Sequence, residues 1–196
     1  MKDKEDNLHV PCWIYQKDEG IPHDVCDYYY NKWSSKKAEP AKVEIENKKQ
    51  KNYDEKVKKK TRDVKTIQLP TYTGITSYLV TASLDANFQN WKYDLSYCSQ
   101  SEYLIYKRNG KYTTHVDYSF KTNQDYVRKL TCLTVLNDNF KGGLFYLVNG
   151  VGEKFFPPQE KGNIIIFPSW TLHGCETVYE GQRHAVVAWM NGKQYT

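Results

Sequence analysis

No stretch of this chain stays apolar for long enough to cross a bilayer as a helix, which takes roughly 20 residues. Its first ten residues, MKDKEDNLHV, lack the apolar core of a secretory signal peptide. Cysteine is sparse and ill-suited to cross-linking. Cys12, Cys26, Cys98, Cys132 and Cys175 are odd in number, scattered, and without a C-x-x-C pair. An all-paired disulfide framework is excluded, and a zinc-thiolate site is disfavoured. Reduced thiols and a cytoplasmic location are expected. Strong one-sided charge is also missing, since the net charge is only +5. The lysines concentrate between Lys48 and Lys65, which reads as a solvated loop or frayed helix, not as a nucleic-acid patch.

What the chain does have is aromatic mass, with 17 Tyr and 5 Trp in 196 residues. Such a chain folds, and its length suits one domain over residues 1–196. Residues 1–95 look like a mixed helical and strand region for support and substrate contact. Ile21-Pro22 opens a helix with Val25, Tyr28, Tyr29 and Trp33 on one face. Ser77 to Trp91 reads as a second helix, capped by Thr76 or Ser77. Its face would carry Leu79, Val80, Leu84, Phe88 and Trp91. Residues 96–196 read as short strands: Tyr103–Tyr106, Leu130–Leu136, Leu144–Val148, Asn163–Phe167 and Arg183–Met190. Arg108-Asn109-Gly110 signals a hairpin, and Glu180-Gly181 is expected to turn the last one. Short antiparallel strands at this spacing point to a sandwich or jelly roll.

His115-Val116-Asp117, His173 and Arg183 carry the chemistry. Residues i and i+2 of a strand share a face, so His115 and Asp117 can aim a nitrogen and an oxygen at one point. His173 can add a third donor from a distant strand. Two histidines and one carboxylate on one face of a metal form the facial triad of non-haem Fe(II) oxygenases. By parity, Arg183 lies with Ala185, Val187 and Trp189 on the last strand. A lone buried cation there needs an anionic partner, and a ligand carboxylate would serve. Thr131, Leu133 and Val135 share a face of their own strand and can wall the same pocket. Taken singly, His115, His173 or Arg183 is as easily a structural residue, and His184 reads as one.

Residues 103–192 resemble the prolyl/lysyl-hydroxylase-type, prolyl 4-hydroxylase-like branch of the 2-oxoglutarate- and Fe(II)-dependent dioxygenases. The resemblance rests on YKRNGKYTTHVD, on RKLTCLTVLND followed by FKGG, and on KGNIIIFPSWTLHGCETVYEGQRHAVVAWMNG. It implies an α+β protein with a double-stranded β-helix (jelly-roll) core and N-terminal supporting helices. It also implies that His115, Asp117 and His173 bind Fe(II) and are the catalytic centre. Arg183 would bind the distal carboxylate of 2-oxoglutarate, with Tyr106, Thr131, Leu133 and Trp189 as further cosubstrate-pocket positions.

The activity implied is hydroxylation of a prolyl residue in a peptide or protein. It would consume 2-oxoglutarate and O2 and release succinate and CO2, with ascorbate as an optional reductant. A free-amino-acid hydroxylase and a non-catalytic jelly-roll binding module are the alternatives. A nucleic-acid demethylase would call for a second arginine six residues after the first. Trp189 stands there, so nucleic acid is not an expected partner, and neither is a membrane. Oligomeric state is left open.

Overall fold

A computed structural model of the chain describes residues 13–15, 20–41, 61–118 and 125–194. In chain order these form β1 (Trp13–Tyr15), α1 (His23–Ser34), β2 (Glu39–Pro40), β3 (Arg62–Asp63), β4 (Lys65–Gln68), α2 (Gly74–Ala86) and a π-helical turn (Asn87–Trp91). There follow β5 (Tyr97–Cys98), β6 (Glu102–Tyr106), β7 (Lys111–His115), β8 (Tyr126–Val135), β9 (Phe140–Gly142) and β10 (Phe145–Val148). The last are β11 (Lys154–Phe155), β12 (Ile164–Pro168), β13 (His173–Cys175), β14 (Val178–Gly181) and β15 (Arg183–Lys193).

The described strands make two main antiparallel sheets. The major sheet runs β1-β12-β8-β15-β6-β4-β2, with β5 also paired to β15. The minor sheet runs β11-β10-β13-β7-β3, and β14 pairs separately with β9. This is the jelly-roll arrangement the sequence points to, with helices on the outside.

Strand alternation divides the major sheet between two cores. On β15, Val186, Ala188 and Met190 face a core shared with Leu130 and Cys132 of β8 and Ile164 and Ile166 of β12. Helix α1 contributes Cys26, Tyr29 and Trp33 to that core, and α2 contributes Ile75, Leu79, Ala82 and Ala86. Ala185, Val187 and Trp189 face the other way, into a core between the sheets with Leu133, Phe145, Leu147, Ile165 and Phe167. Both faces of the sheet are covered, so its strands read as near-continuous apolar runs.

Several local expectations are corrected. Helix α2 starts at Gly74, capped by Thr73, whose side chain accepts from the Thr76 backbone N–H. It ends at Ala86 and is continued by the π turn, not by α-helix through Trp91. Its buried face is built from smaller residues than expected, while Leu84 and Phe88 are exposed. The sheet takes the face that lets the helix approach closely, and Ala82, Ser83 and Ala86 permit that.

Neither expected hairpin forms. The Asn109-Gly110 turn is real, with Asn109 at φ 69°. However, β6 pairs with β15 and β4, whereas β7 pairs with β13 and β3. The turn therefore carries the chain from one sheet to the other. Strand β6 is apolar on both faces, and a two-stranded ribbon would leave both in water. Likewise β14 pairs with β9 and not with β15, and Gly181 at φ 72° is the corner between them. Most of the lysine-rich stretch lies outside the described residues; its end, from Arg62, is strand.

Candidate metal centre and active site

His115 ends β7 and His173 begins β13, and the two are direct cross-strand partners. Their ring centroids are 4.2 Å apart. Asp117 lies beyond the end of β7, so strand alternation is not what aims it. Its backbone N–H donates to Ser169 O at 2.9 Å, and that of Tyr118 donates to the same oxygen at 2.9 Å. The corner after β12 thus swings the carboxylate back toward the histidines. His115 Nε2 is 3.7 Å from Asp117 Oδ1, and His173 Nε2 is 3.4 Å from Asp117 Oδ2.

The outer nitrogens define the tautomers. His115 Nδ1 is 2.8 Å from Thr113 O, and His173 Nδ1 is 2.8 Å from Thr171 O. A carbonyl only accepts, so each Nδ1 bears the hydrogen and each Nε2 keeps its lone pair facing inward. Burial, with the nearby His173 second, pushes the His115 pKa down from 6.5 to about 3. The ring is therefore neutral and ready to ligate at physiological pH. For Asp117, burial alone would raise the pKa. The imidazolium forms of His173 and then His115, present only once those rings are protonated, and the Trp189 N–H donor hold it well below the usual carboxylate range.

Asp117 is fastened through one oxygen. Thr131 Oγ1 and Trp189 Nε1 each donate to Oδ2, both at 2.9 Å. Among the described residues, no donor hydrogen-bonds to Oδ1. Thr131 also shares a 3.0 Å hydrogen bond with Ser169 Oγ. Thr131 and Trp189 face each other across β8 and β15. Both were expected as cosubstrate-pocket residues; in the structure their polar atoms are engaged with the carboxylate.

The triad opens on a cavity of about 990 Å³ that Tyr106, Leu133 and Arg183 also line. Arg183 is 2% exposed. Its Nε has no hydrogen-bond partner, and no carboxylate of the described residues pairs with it. Tyr106 stands opposite Arg183 across β6 and β15, and the guanidinium carbon lies 5.3 Å from the centre of its ring. Burial raises the Tyr106 pKa, so its hydroxyl stays protonated. A cavity with three inward metal-type donors and an unpartnered buried cation fits a metal together with a small carboxylate that reaches from it. The separations of 3.4 and 3.7 Å among the donors suit ligand bonds of about 2 Å to one centre.

The sequence points to neither Arg62 nor Arg128 at this site, and to Tyr112 only as a position of the YKRNGKYTTHVD segment, without a role. Tyr112 stacks on His115, and Arg62 lies over Tyr112. Arg128 lies 3.9 Å over the Trp189 ring and 4.0 Å from Asp117 Oδ1. Parity groups Arg128 with Leu130 and Cys132, away from the cavity. A register shift opposite Met190 and Asn191 turns it round, and single-residue alternation does not reveal a bulge.

Over residues 101–191 the sequence matches the 2OG-Fe(II) oxygenase superfamily. This region belongs to that family. The oxygenase region is similar to a PKHD-type hydroxylase of Rippkaea orientalis, 34% identical over 88 residues, which are 43% of this chain and 39% of the relative. A PKHD-type hydroxylase of Thermosynechococcus vestitus is 37% identical over 89 residues, again 43% and 39%. The chain thus spans about two fifths of the length of the curated relatives it matches. The fold is shared with a Pseudomonas putida prolyl-4-hydroxylase at TM-score 0.69 and 14% identity, covering 96% of this chain and 95% of that one. A Trichoplax adhaerens prolyl hydroxylase, solved with a hypoxia-inducible-factor peptide fragment, gives TM-score 0.69 and 15% identity over 93% and 84%. The fold is that of the prolyl-4-hydroxylase-like branch. Fe(II) and 2-oxoglutarate are the metal and cosubstrate of the oxygenase family, and the His-Asp-His group and Arg183 fit them.

Proposed function

We propose that this protein is a 2-oxoglutarate-dependent hydroxylase acting on a prolyl residue of a peptide or protein. The observation that carries the reading is Arg183, buried without a carboxylate partner among the described residues, in the same cavity as the His-Asp-His group. His115, Asp117 and His173 would hold Fe(II), and Arg183 the distal carboxylate of 2-oxoglutarate. Tyr106 would offer its protonated hydroxyl beside that carboxylate, and Leu133 an apolar wall. Thr131 and Trp189 serve by orienting Asp117. Loaded with metal, cosubstrate and O2, such a site supplies the oxidation that converts C–H to C–OH while 2-oxoglutarate becomes succinate and CO2.

The peptide assignment draws on the relatives: PKHD-type hydroxylases in sequence, prolyl hydroxylases in fold, one of them bound to a peptide fragment. The described cysteines Cys26, Cys98, Cys132 and Cys175 are free, which suits a reducing, cytoplasmic setting. No helix of the described residues is long and apolar enough to cross a membrane. The test is incubation with Fe(II), 2-oxoglutarate, ascorbate and proline-containing peptides. Succinate formation with a peptide mass gain of one oxygen supports the proposal. Succinate without that gain, against a broad proline peptide set, removes the prolyl assignment. No cosubstrate turnover at all removes the enzyme.

A further inference from the structure

The two histidines of the triad are packed very differently. His173 is buried, with the Phe167 and Phe145 rings 4.7 and 5.8 Å from its own. His115 has an 18% exposed side chain. Among the described residues its one flat neighbour besides His173 is Tyr112, stacked at 3.5 Å and 16° between planes. Simple alternation would point Tyr112 and His115 to opposite faces of β7. An irregularity opposite His173 and Cys175 brings them ring to ring.

Tyr112 is itself held. Arg62 pairs with it across β3 and β7, and the guanidinium carbon is 4.7 Å from the ring centre. Arg62 in turn lies 3.5 Å from Glu102 Oε2. Glu102 Oε1 accepts from Gln68 Nε2 at 2.7 Å. Gln68 and Glu102 belong to the major sheet, Arg62 and Tyr112 to the minor one. The chain of contacts therefore ties the two sheets together across the cavity and ends on a triad histidine.

We propose that Arg62 is a positioning residue for the metal centre: braced by Glu102, it holds Tyr112 against His115 and so fixes the direction of His115 Nε2. The inference rests on the triad holding a metal. It has a distinctive sign. A guanidinium near a metal cation repels it, so an Arg62 acting only through its charge would weaken binding, and its removal would tighten it. An Arg62 serving only the sheet packing would leave affinity unchanged once the protein is folded. Positioning alone makes its removal weaken the metal.

The experiment is titration of the purified full chain with Co(II) alone, followed by the visible absorption of the bound ion. Arg62→Ala is expected to bind about 10-fold more weakly, as outer partners of metal ligands typically do when lost, with a shifted absorption band. Arg62→Lys, which keeps charge without the flat face, should recover only part of the affinity. Tyr112→Ala should show the same loss, and Tyr112→Phe should restore it. Unfolding of the metal-free variants by far-ultraviolet circular dichroism confirms which are folded. Should Arg62→Ala not fold, the Tyr112 pair decides: equal affinities of Tyr112→Ala and wild type overturn the proposal. Unchanged or tighter Co(II) binding by folded Arg62→Ala overturns it too, leaving the proposed function intact. A wild type that takes up no Co(II) overturns both.

Discussion

The indole N–H of Trp189 donates to Asp117 Oδ2 at 2.9 Å, from 72 positions further along the chain. Thr131 donates to the same oxygen, and among the described residues no donor hydrogen-bonds to Oδ1. Trp189→Phe keeps the ring under Arg128 but removes the donor. A hydrogen bond to a charged group is worth roughly 1.5–3 kcal/mol, and Thr131 remains to hold the same oxygen. Metal affinity should fall about 10-fold, with little change in the apparent KM for 2-oxoglutarate. Isothermal titration with Fe(II) under anaerobic conditions reads the first, and succinate formation reads the second.

Arg183→Met should separate the proposed function from stability. Truncating one partner of a buried charge pair costs about 2–5 kcal/mol of binding, so the apparent KM for 2-oxoglutarate should rise at least 30-fold. Metal binding should persist, because Arg183 contacts none of the three donors. In the absence of cosubstrate, Met replaces a buried cation that has no carboxylate partner among the described residues with an apolar chain of similar reach, so the metal-free Tm should hold or rise. A fall in Tm with unchanged KM would place Arg183 in the core scaffold and not in the ligand site.

The part of the site legible in the sequence is the part that local periodicity controls. Arg183 and Leu133 line the cavity, the side that strand parity expects, because β15 and β8 alternate cleanly there. Arg128 and the Tyr112–His115 stack were not legible, since both depend on bulges that reverse parity. Asp117 was found for an incomplete reason, because a contact with Ser169 turns it inward after β7 has ended. The hairpin and helix-face expectations failed on the same ground. The Asn109-Gly110 turn and the Leu84–Phe88 stripe are local signals, whereas strand partners and buried faces are decided by tertiary burial.

Gly143 explains the second glycine of the FKGG segment. Its φ is 64°, and a Cβ there would lie 2.7 Å from Val178 Cγ2 and 3.2 Å from Arg183 Cδ. Only glycine adopts that backbone cheaply while leaving room for the arginine stem. Gly143→Ala should cost about 1–3 kcal/mol of stability, readable as a lower urea midpoint. It should also raise the KM for 2-oxoglutarate by displacing Arg183, while Gly150→Ala, where nothing lies within 4 Å, should leave that KM unchanged.

His184 gives the fold an acid limit separate from the metal. It is buried on the helix side of β15, shares a 2.9 Å hydrogen bond with Tyr103, and meets the Tyr30 ring edge-on at 4.9 Å. Burial pushes its pKa down from 6.5 to about 4. Between those values the unfolded chain binds a proton that the folded protein refuses, so stability rises with pH there and is lost as pH falls. The stabilisation is fully present above about pH 6.5, and its loss approaches about 3 kcal/mol near pH 4. Metal-free His115 shifts in the same direction, so the contribution of His184 is the difference between wild type and His184→Gln. Urea midpoints measured from pH 7.5 to pH 4 should fall less steeply for the variant, even if it starts from a lower value. Parallel curves would mean that His184 takes up its proton in the folded state as readily as in the unfolded one.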